Sequence, residues 1–170
     1  MLQRPSHEEY ASFYTGYIGQ VPDGNYVDIL NSQEAALISL FSQLNEEQAL
    51  SRYAPGKWSL KEVLAHITDT ERIMSYRMLR ISRGDTTDLP GFDQDVFINN
   101  NTFDDVALSL LIQDFQAVRK ATLALLPTIS EAAWTRFGTA NTFAISARAL
   151  AYVIAGHAQH HLNVVEDKYL

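Results

Sequence analysis

The segment from Ser146 to Leu170 constrains the fold more than any other part of the chain. Read as a helix, it places Leu150, Ile154, His157, His161 and Val164 on one stripe, alternating four and three residues apart as a core-facing seam does. Two of those five inward positions are histidines. Imidazoles one turn apart project the same way, with Cβ atoms roughly 6 Å apart, which is the spacing of a two-point clamp on one metal ion. Burying two polar rings on one stripe costs free energy unless each nitrogen finds a partner, and coordination supplies that partner. The competing reading makes them neutral core imidazoles with ordinary hydrogen-bond partners. His160 points about 60° from His157 on a helical wheel, so it packs or faces solvent, a His157 and His160 pair being the alternative.

A third ligand has to come from His7, His66 or His160. His66 is the choice, because it sits in the best-signalled helix of the chain. Ser59 with Glu62 three residues later is a capping box, and Trp58 ahead of the cap can staple onto Val63. From there Leu60, Val63, Leu64, Ile67, Met74, Met78 and Ile81 form an apolar stripe that ends at Gly84. His66 lies on its flank, in line with Val63, Thr70, Ile73 and Arg77. Asp69, one turn further on, either orients that imidazole or acts as a base, the alternative being a solvated carboxylate on the outer face.

Two more long helices close a core. One runs from about Tyr26 to about Leu44 with Leu30, Leu37, Phe41 and Leu44 inward and Glu34 interrupting the stripe. Glu34 either reaches water near the end of the bundle or accepts a hydrogen bond from a metal-bound histidine. The other begins at Thr102 and Asp105, carries Ala107, Leu111, Phe115, Val118, Thr122 and Leu125 inward, and ends at Pro127. Ser130 to Trp134 reads as a short helical turn, Gly138 to Thr142 as a loop, and Ser146 as the cap of the last helix. Ahead of the first long helix, Pro5 to Gln20 reads as a short helix with Tyr10, Phe13, Tyr14 and Tyr17 on one face, which packs or lines a ligand pocket. Gly84 to Thr102 has no helical period. A crossover of that length in a helical domain is commonly a lid or a binding loop, with Phe92, Asp93 and Asp95 as pocket candidates against the plainer reading of a solvated turn. The expected architecture is all-α: an antiparallel four-helix bundle with a long crossover loop, one domain over residues 1–170. In such bundles metal sites are built from side chains on facing helices. Gly156, beside His157, could let a neighbouring helix approach.

Composition narrows the chemistry. The chain has no cysteine, which excludes disulfides, a thiolate metal site and a cysteine nucleophile, so nitrogen and oxygen must hold any metal. With 20 acidic against 13 basic residues, a net charge of −7 and no basic run, nucleic acid is excluded as a partner. No window reaches the roughly 18 apolar residues of a membrane span, and Met1 to Tyr10 lacks the apolar core of a signal peptide, so a cytoplasmic protein is expected. Three neutral imidazoles leave a divalent ion its full charge and at least one open position, which is the catalytic pattern. Such an ion lowers the pKa of water to about 7 or favours the thiolate form of a thiol. Metalloprotease chemistry is disfavoured, because Ala158 stands where a His-Glu-x-x-His motif needs its glutamate.

The run Lys57-Trp58-Ser59 through His66, then Asp69, Glu71 and Arg77, the loop Pro90-Gly91-Phe92-Asp93, and Gly156-His157 through His160-His161 together resemble the DinB/YfiT-like superfamily of four-helix, metal-dependent proteins. The resemblance covers nearly the whole chain. It implies His66, His157 and His161 as a metal triad near one end of the bundle, nickel or zinc as the metal, and a homodimer. Some relatives are thiol S-transferases using bacillithiol, mycothiol or glutathione, and others are isomerases or hydrolases. The expectation is therefore an enzyme whose three-histidine centre activates a low-molecular-weight thiol or water against a small electrophile. Candidate cofactor contacts are Phe92, Asp93 and Tyr14, and the candidate catalytic group is Asp69. The alternative is a non-catalytic metal-binding protein of the stress response.

Overall fold

The computed structural model describes residues 2–170; Met1 lies outside them. Four long helices form the body: α1 (Tyr26–Ser42), α2 (Leu60–Ser82), α3 (Leu108–Leu125) and α4 (Ala147–Lys168). A hairpin of β1 (Phe137–Ala140) and β2 (Phe143–Ser146) precedes α4. Helix α2 packs on α3 and α4, and α1 packs on the same two, so α1 and α2 stand across the diagonal. The carboxy-terminal end of α4 meets the start of α2, where the Tyr169 hydroxyl donates to the Trp58 carbonyl at 2.7 Å, so these two run antiparallel. Helices α2 and α3 run the same way: Lys61 reaches Val106 at one end and Arg83 reaches Thr128 at the other. That sense is what the long crossover between them provides, since it carries the chain back along the bundle before α3 begins.

The helix starts follow from local chemistry. At α2 the Ser59 hydroxyl accepts from the Glu62 amide while Glu62 accepts from the Ser59 amide, closing the expected capping box. Gly84 ends the helix with φ of 84°, a conformation that costs glycine little. Asn25 and Ser146 cap α1 and α4 with their side chains. Helix α3 departs from expectation. Thr102 makes no cap, Phe103–Asp105 is a 3₁₀ turn, and Leu108 rather than the exposed Ala107 takes the first inward position. Asp104 is drawn instead to Arg52 and to the Ser59 hydroxyl, and the amide of Leu108 is satisfied by the Glu46 carboxylate at 2.9 Å.

Other expectations are also corrected. Pro5 to Gln20 is two 3₁₀ turns (His7–Glu9 and Ser12–Tyr14) and a four-residue helix (Thr15–Ile18), not one helix. Glu9 turns inward to accept from the Ser146 hydroxyl and from Arg148, which pulls this strap onto the start of α4. Tyr10 and Tyr14 are buried, whereas Phe13 is exposed. The stretch Gly138 to Thr142 belongs to the hairpin. Its two-residue turn, Asn141-Thr142, has both φ values positive, as a primed turn requires, but threonine is an unusual occupant and gave no signal. The crossover contains a helix, Gln94–Asn99, and Leu89 bridges to Ala140 of β1. On α1 the inward polar residue is Gln33; Glu34 is half-exposed.

Deep in the bundle Arg119 of α3 makes a forked contact to Glu71 of α2, at 3.0 and 2.8 Å, and its remaining arm donates to the Leu30 carbonyl of α1 at 2.9 Å. Both side chains are buried, Arg119 completely. Removing one partner strands the other charge in the interior. Arg119→Met is expected to lower the unfolding free energy by about 3–5 kcal/mol, and the double variant Glu71→Leu/Arg119→Met to recover most of it. Urea unfolding of the two variants beside the parent checks this; equal losses would show that packing, not the stranded charge, sets the cost.

Candidate metal centre

His66 lies in the second turn of α2, and His157 and His161 lie one turn apart on α4, where the two antiparallel helices pack. The fold brings the three together: one ligand nitrogen from each ring lies within 4.8 Å of the others. The Nε2 atoms of His66 and His157 approach to 2.9 Å. Two imidazole nitrogens each about 2.0–2.1 Å from one ion would stand roughly 3–3.4 Å apart, so the observed approach is that of a ligand pair to within a few tenths of an ångström. His66 and His157 are buried, and His161 is half-exposed.

Burial also sets the charge state. It is the largest influence on all three rings, with the other histidines adding to it: His66 is lowered to about 4, His161 to about 3, and His157 well below its ordinary value. Neutral imidazoles with free lone pairs are what a divalent ion binds, so the donor set fits a metal. Aromatic rings hold the triad from the sides. Trp58 lies 4.8 Å from His66 between centroids, and Tyr17 stands edge-on to His157 and to His160 at 5.5 and 5.3 Å. Tyr17 can do so because of Gly156: a Cβ there would meet the Tyr17 carbonyl oxygen at 2.1 Å. The close approach anticipated at Gly156 is therefore real, and the neighbour is the short helix Thr15–Ile18 of the amino-terminal strap.

The remaining candidates are placed differently. His160 is half-buried beside His161, 5.0 Å between ring centroids, and is not a member of the ligand cluster. His7 pairs with the Tyr10 hydroxyl instead. Asp69 faces α3, where it pairs with Arg72 beside Asp114, and burial raises its pKa. Among the described residues neither Asp69 nor Glu34 hydrogen-bonds a histidine. Asp93 caps the crossover helix by accepting from the Asp95 and Val96 amides. Tyr14 and Phe92 both lie against the buried Arg77, which donates to the Pro90 carbonyl at 2.6 Å. These two therefore pin the crossover to the strap. Asp95, by contrast, lines a cleft of about 440 Å³ that opens onto His160 and His161. Its walls include Tyr53, Lys57, Trp58 and Tyr169. Tyr53 and Tyr169 carried no periodic signal, and Trp58 was legible as a staple and as part of the run that carries the family resemblance.

An up–down–down–up four-helix bundle with a three-histidine cluster between two facing helices is the class that fold and site define. The chain belongs to the DinB superfamily, whose family model matches residues 29–165. Among solved structures it is similar to YfiT from Bacillus subtilis, described as a probable metal-dependent hydrolase with an unusual four-helix bundle topology. That match has a TM-score of 0.73 and 17% identity, and covers 84% of this chain and 82% of YfiT. It is also similar to a mycothiol-dependent maleylpyruvate isomerase, with a TM-score of 0.68 and 13% identity over 86% of this chain. This chain spans 61% of that isomerase. At these identities the likeness establishes the fold. No curated protein matches the chain. No helix among the described residues is long and apolar enough to cross a membrane.

The lowered pKa values carry a pH dependence. Each folded value lies below the ordinary 6.5, so between the two the unfolded chain binds more protons. Stability is complete above about 6.5 and falls as the pH drops toward about 4 for His66 and about 3 for His161. In metal-free protein the urea midpoint is expected to fall between pH 6.5 and 5, above the range where carboxylates of ordinary pKa titrate. The slope should be shallower in His161→Gln. A flat midpoint across that window would show that the rings are not held neutral by burial.

Proposed function

We propose that His66, His157 and His161 hold one divalent transition metal ion and that the protein is an enzyme acting on a small electrophile with a thiol or water as nucleophile. The observation that carries this reading is the convergence of three ligand nitrogens from imidazoles held neutral, two of them buried and the third at a cleft. An all-nitrogen set suits zinc or nickel, and with three protein ligands an ion there supplies a Lewis acid that lowers the pKa of a thiol or of water.

This chain's own residues do the rest. His66 and His157 form the buried side of the centre, beside Trp58 and Tyr17, and His161 is the ligand that lines the cleft. The half-exposed His161 ring forms the floor of the cleft, which directs a small molecule to the one accessible face. The aromatic walls exclude water around it and favour an apolar body. That open face favours catalysis over a purely structural ion, whose shell would be closed. The hydrolase and isomerase descriptions of the similar structures are two directions the chemistry takes in this fold, and a nucleophile activated at a three-histidine centre accommodates either.

The test is metal content by elemental mass spectrometry on untagged protein, beside His161→Ala. About one ion per chain is expected, falling several-fold in the variant, with far-ultraviolet circular dichroism unchanged. Adding nickel or zinc to stripped protein at about a thousand times Kd should stabilise it by about 4 kcal/mol. No ion in either protein, and no stabilisation on adding one, would mean that the histidines only pack.

A further inference from the structure

Away from the triad, a groove of about 410 Å³ lies between α1 and α4 and meets the turn Pro22–Asn25 at one end. Its lining holds two carboxylates, Asp23 and Asp28, and no lysine, arginine or histidine. Asp23 is paired with Arg4 at 3.2 Å, whereas Asp28 makes no ion pair among the described residues. An acid in the first turn of a helix, where Asp28 stands, is an ordinary feature and defines no site.

Gln33 is what sets the groove apart. It forms part of the lining, yet it is only 4% exposed. Its amide nitrogen donates to the Ala155 carbonyl of α4 at 2.9 Å and to Gln159 Oε1 at 3.2 Å, while its own Oε1 meets no donor. The amide cannot be turned over, because its oxygen would then face the Ala155 carbonyl, which only accepts. From Gln33 the donation runs one way: Gln159 donates to Asn163 at 2.8 Å, Asn163 to Gln20 at 3.3 Å, and Gln20 to the Gly16 carbonyl at 3.2 Å. Every link of that chain is answered except the acceptor at its head. A buried amide oxygen left without a donor costs free energy, and a group supplied from the groove would recover it.

The two unanswered acceptors stand apart. On α1 Asp28 lies about 140° around from Gln33 and roughly 7.5 Å along the axis, with Ile29 and Ala36 between them. Leu162 of α4 also lines the groove. We propose that this groove is a second ligand site, for a small aliphatic amine that carries a second, uncharged hydrogen-bond donor. The ammonium pairs with Asp28, the carbon chain lies along Ile29, Ala36 and Leu162, and the far donor meets Gln33 Oε1. That far donor is uncharged because no carboxylate accompanies Gln33 to pair a second ammonium. The site does not depend on the metal reading.

The experiment titrates isotopically labelled full-length protein with three probes of one length: 5-aminopentan-1-ol, pentylamine and pentane-1,5-diol. Binding is read from nuclear magnetic resonance shifts of the Gln33 and Gln159 side-chain amides. The parent is expected to prefer the amino alcohol to pentylamine by about three- to ten-fold, the size of one hydrogen bond, and to the diol by about two- to five-fold, the size of one exposed ion pair. Gln33→Met should abolish the first preference and Asp28→Asn the second, and about 0.5 M salt should shrink only the second. Asp28→Asn is a surface change, so the test stands even if Gln33→Met unfolds. Glu47→Gln, an exposed acid elsewhere, should change neither. No shift at Gln33 and Gln159 would overturn the proposal, leaving water alone to answer the amide. Preferences that survive in Asp28→Asn, or shifts confined to His66, His157 and His161, would overturn it as well.

Discussion

The contact on which the arrangement depends is the fork of Arg119 on Glu71. A guanidinium with no exposed surface can be held inside a protein only if its charge and its donors are met, and here one carboxylate and one helix carbonyl meet them. Those partners sit on α2 and α1, so one side chain from α3 fixes the rotation of two other helices at once. Apolar ridges alone would allow neighbouring rotations of α2 at small cost, because hydrophobic contact is not directional. With Glu71 committed to α3, the face of α2 that bears His66 is turned to α4. The histidine cluster is a consequence of that choice of rotation as much as of the histidines themselves.

The cluster is by itself an unfavourable thing to build. Three imidazoles packed within 4.8 Å cannot all be charged, and burial keeps them neutral at the expense of acid stability. The surroundings support rather than satisfy them: aromatic edges from Tyr17 and Trp58 hold the rings but bring no strong acceptor. A set of lone pairs kept unprotonated, without competing carboxylates, is what nitrogen ligation of a cation requires. The interior polar contacts that are fully answered, such as Glu9 with Ser146 and Arg148, lie elsewhere and serve to fasten the strap.

Much of this was legible in the sequence, and the illegible part has a physical pattern. The four long helices and the triad rest on periodicity and caps, which are local, and Ser59, Ser146 and Gly84 behave as their chemistry demands. What could not be read was set by contacts between distant segments. Glu9 breaks the expected amino-terminal helix by reaching Arg148, and the expected helix start at Thr102 and Asp105 gives way to a 3₁₀ turn whose Asp104 is held by Arg52 and Ser59. Arg119 gave no sign of its importance, because an arginine within a helix is ordinarily solvated. The hairpin before α4 went unread since Asn-Thr is a poor advertisement for a primed turn. The same applies to the cleft: Tyr53 and Tyr169 come from a loop and from the end of the last helix, and only the fold makes them neighbours.

The asymmetry of the triad is where fold and chemistry meet. His157 is buried where α4 packs on α2 and beside Tyr17 of the strap, which runs on to Gln20 against Asn163; His161, one turn later, lines the cleft. A Cβ at position 156 would meet the Tyr17 carbonyl oxygen at 2.1 Å, so the strap can lie against His157 only because that side chain is absent.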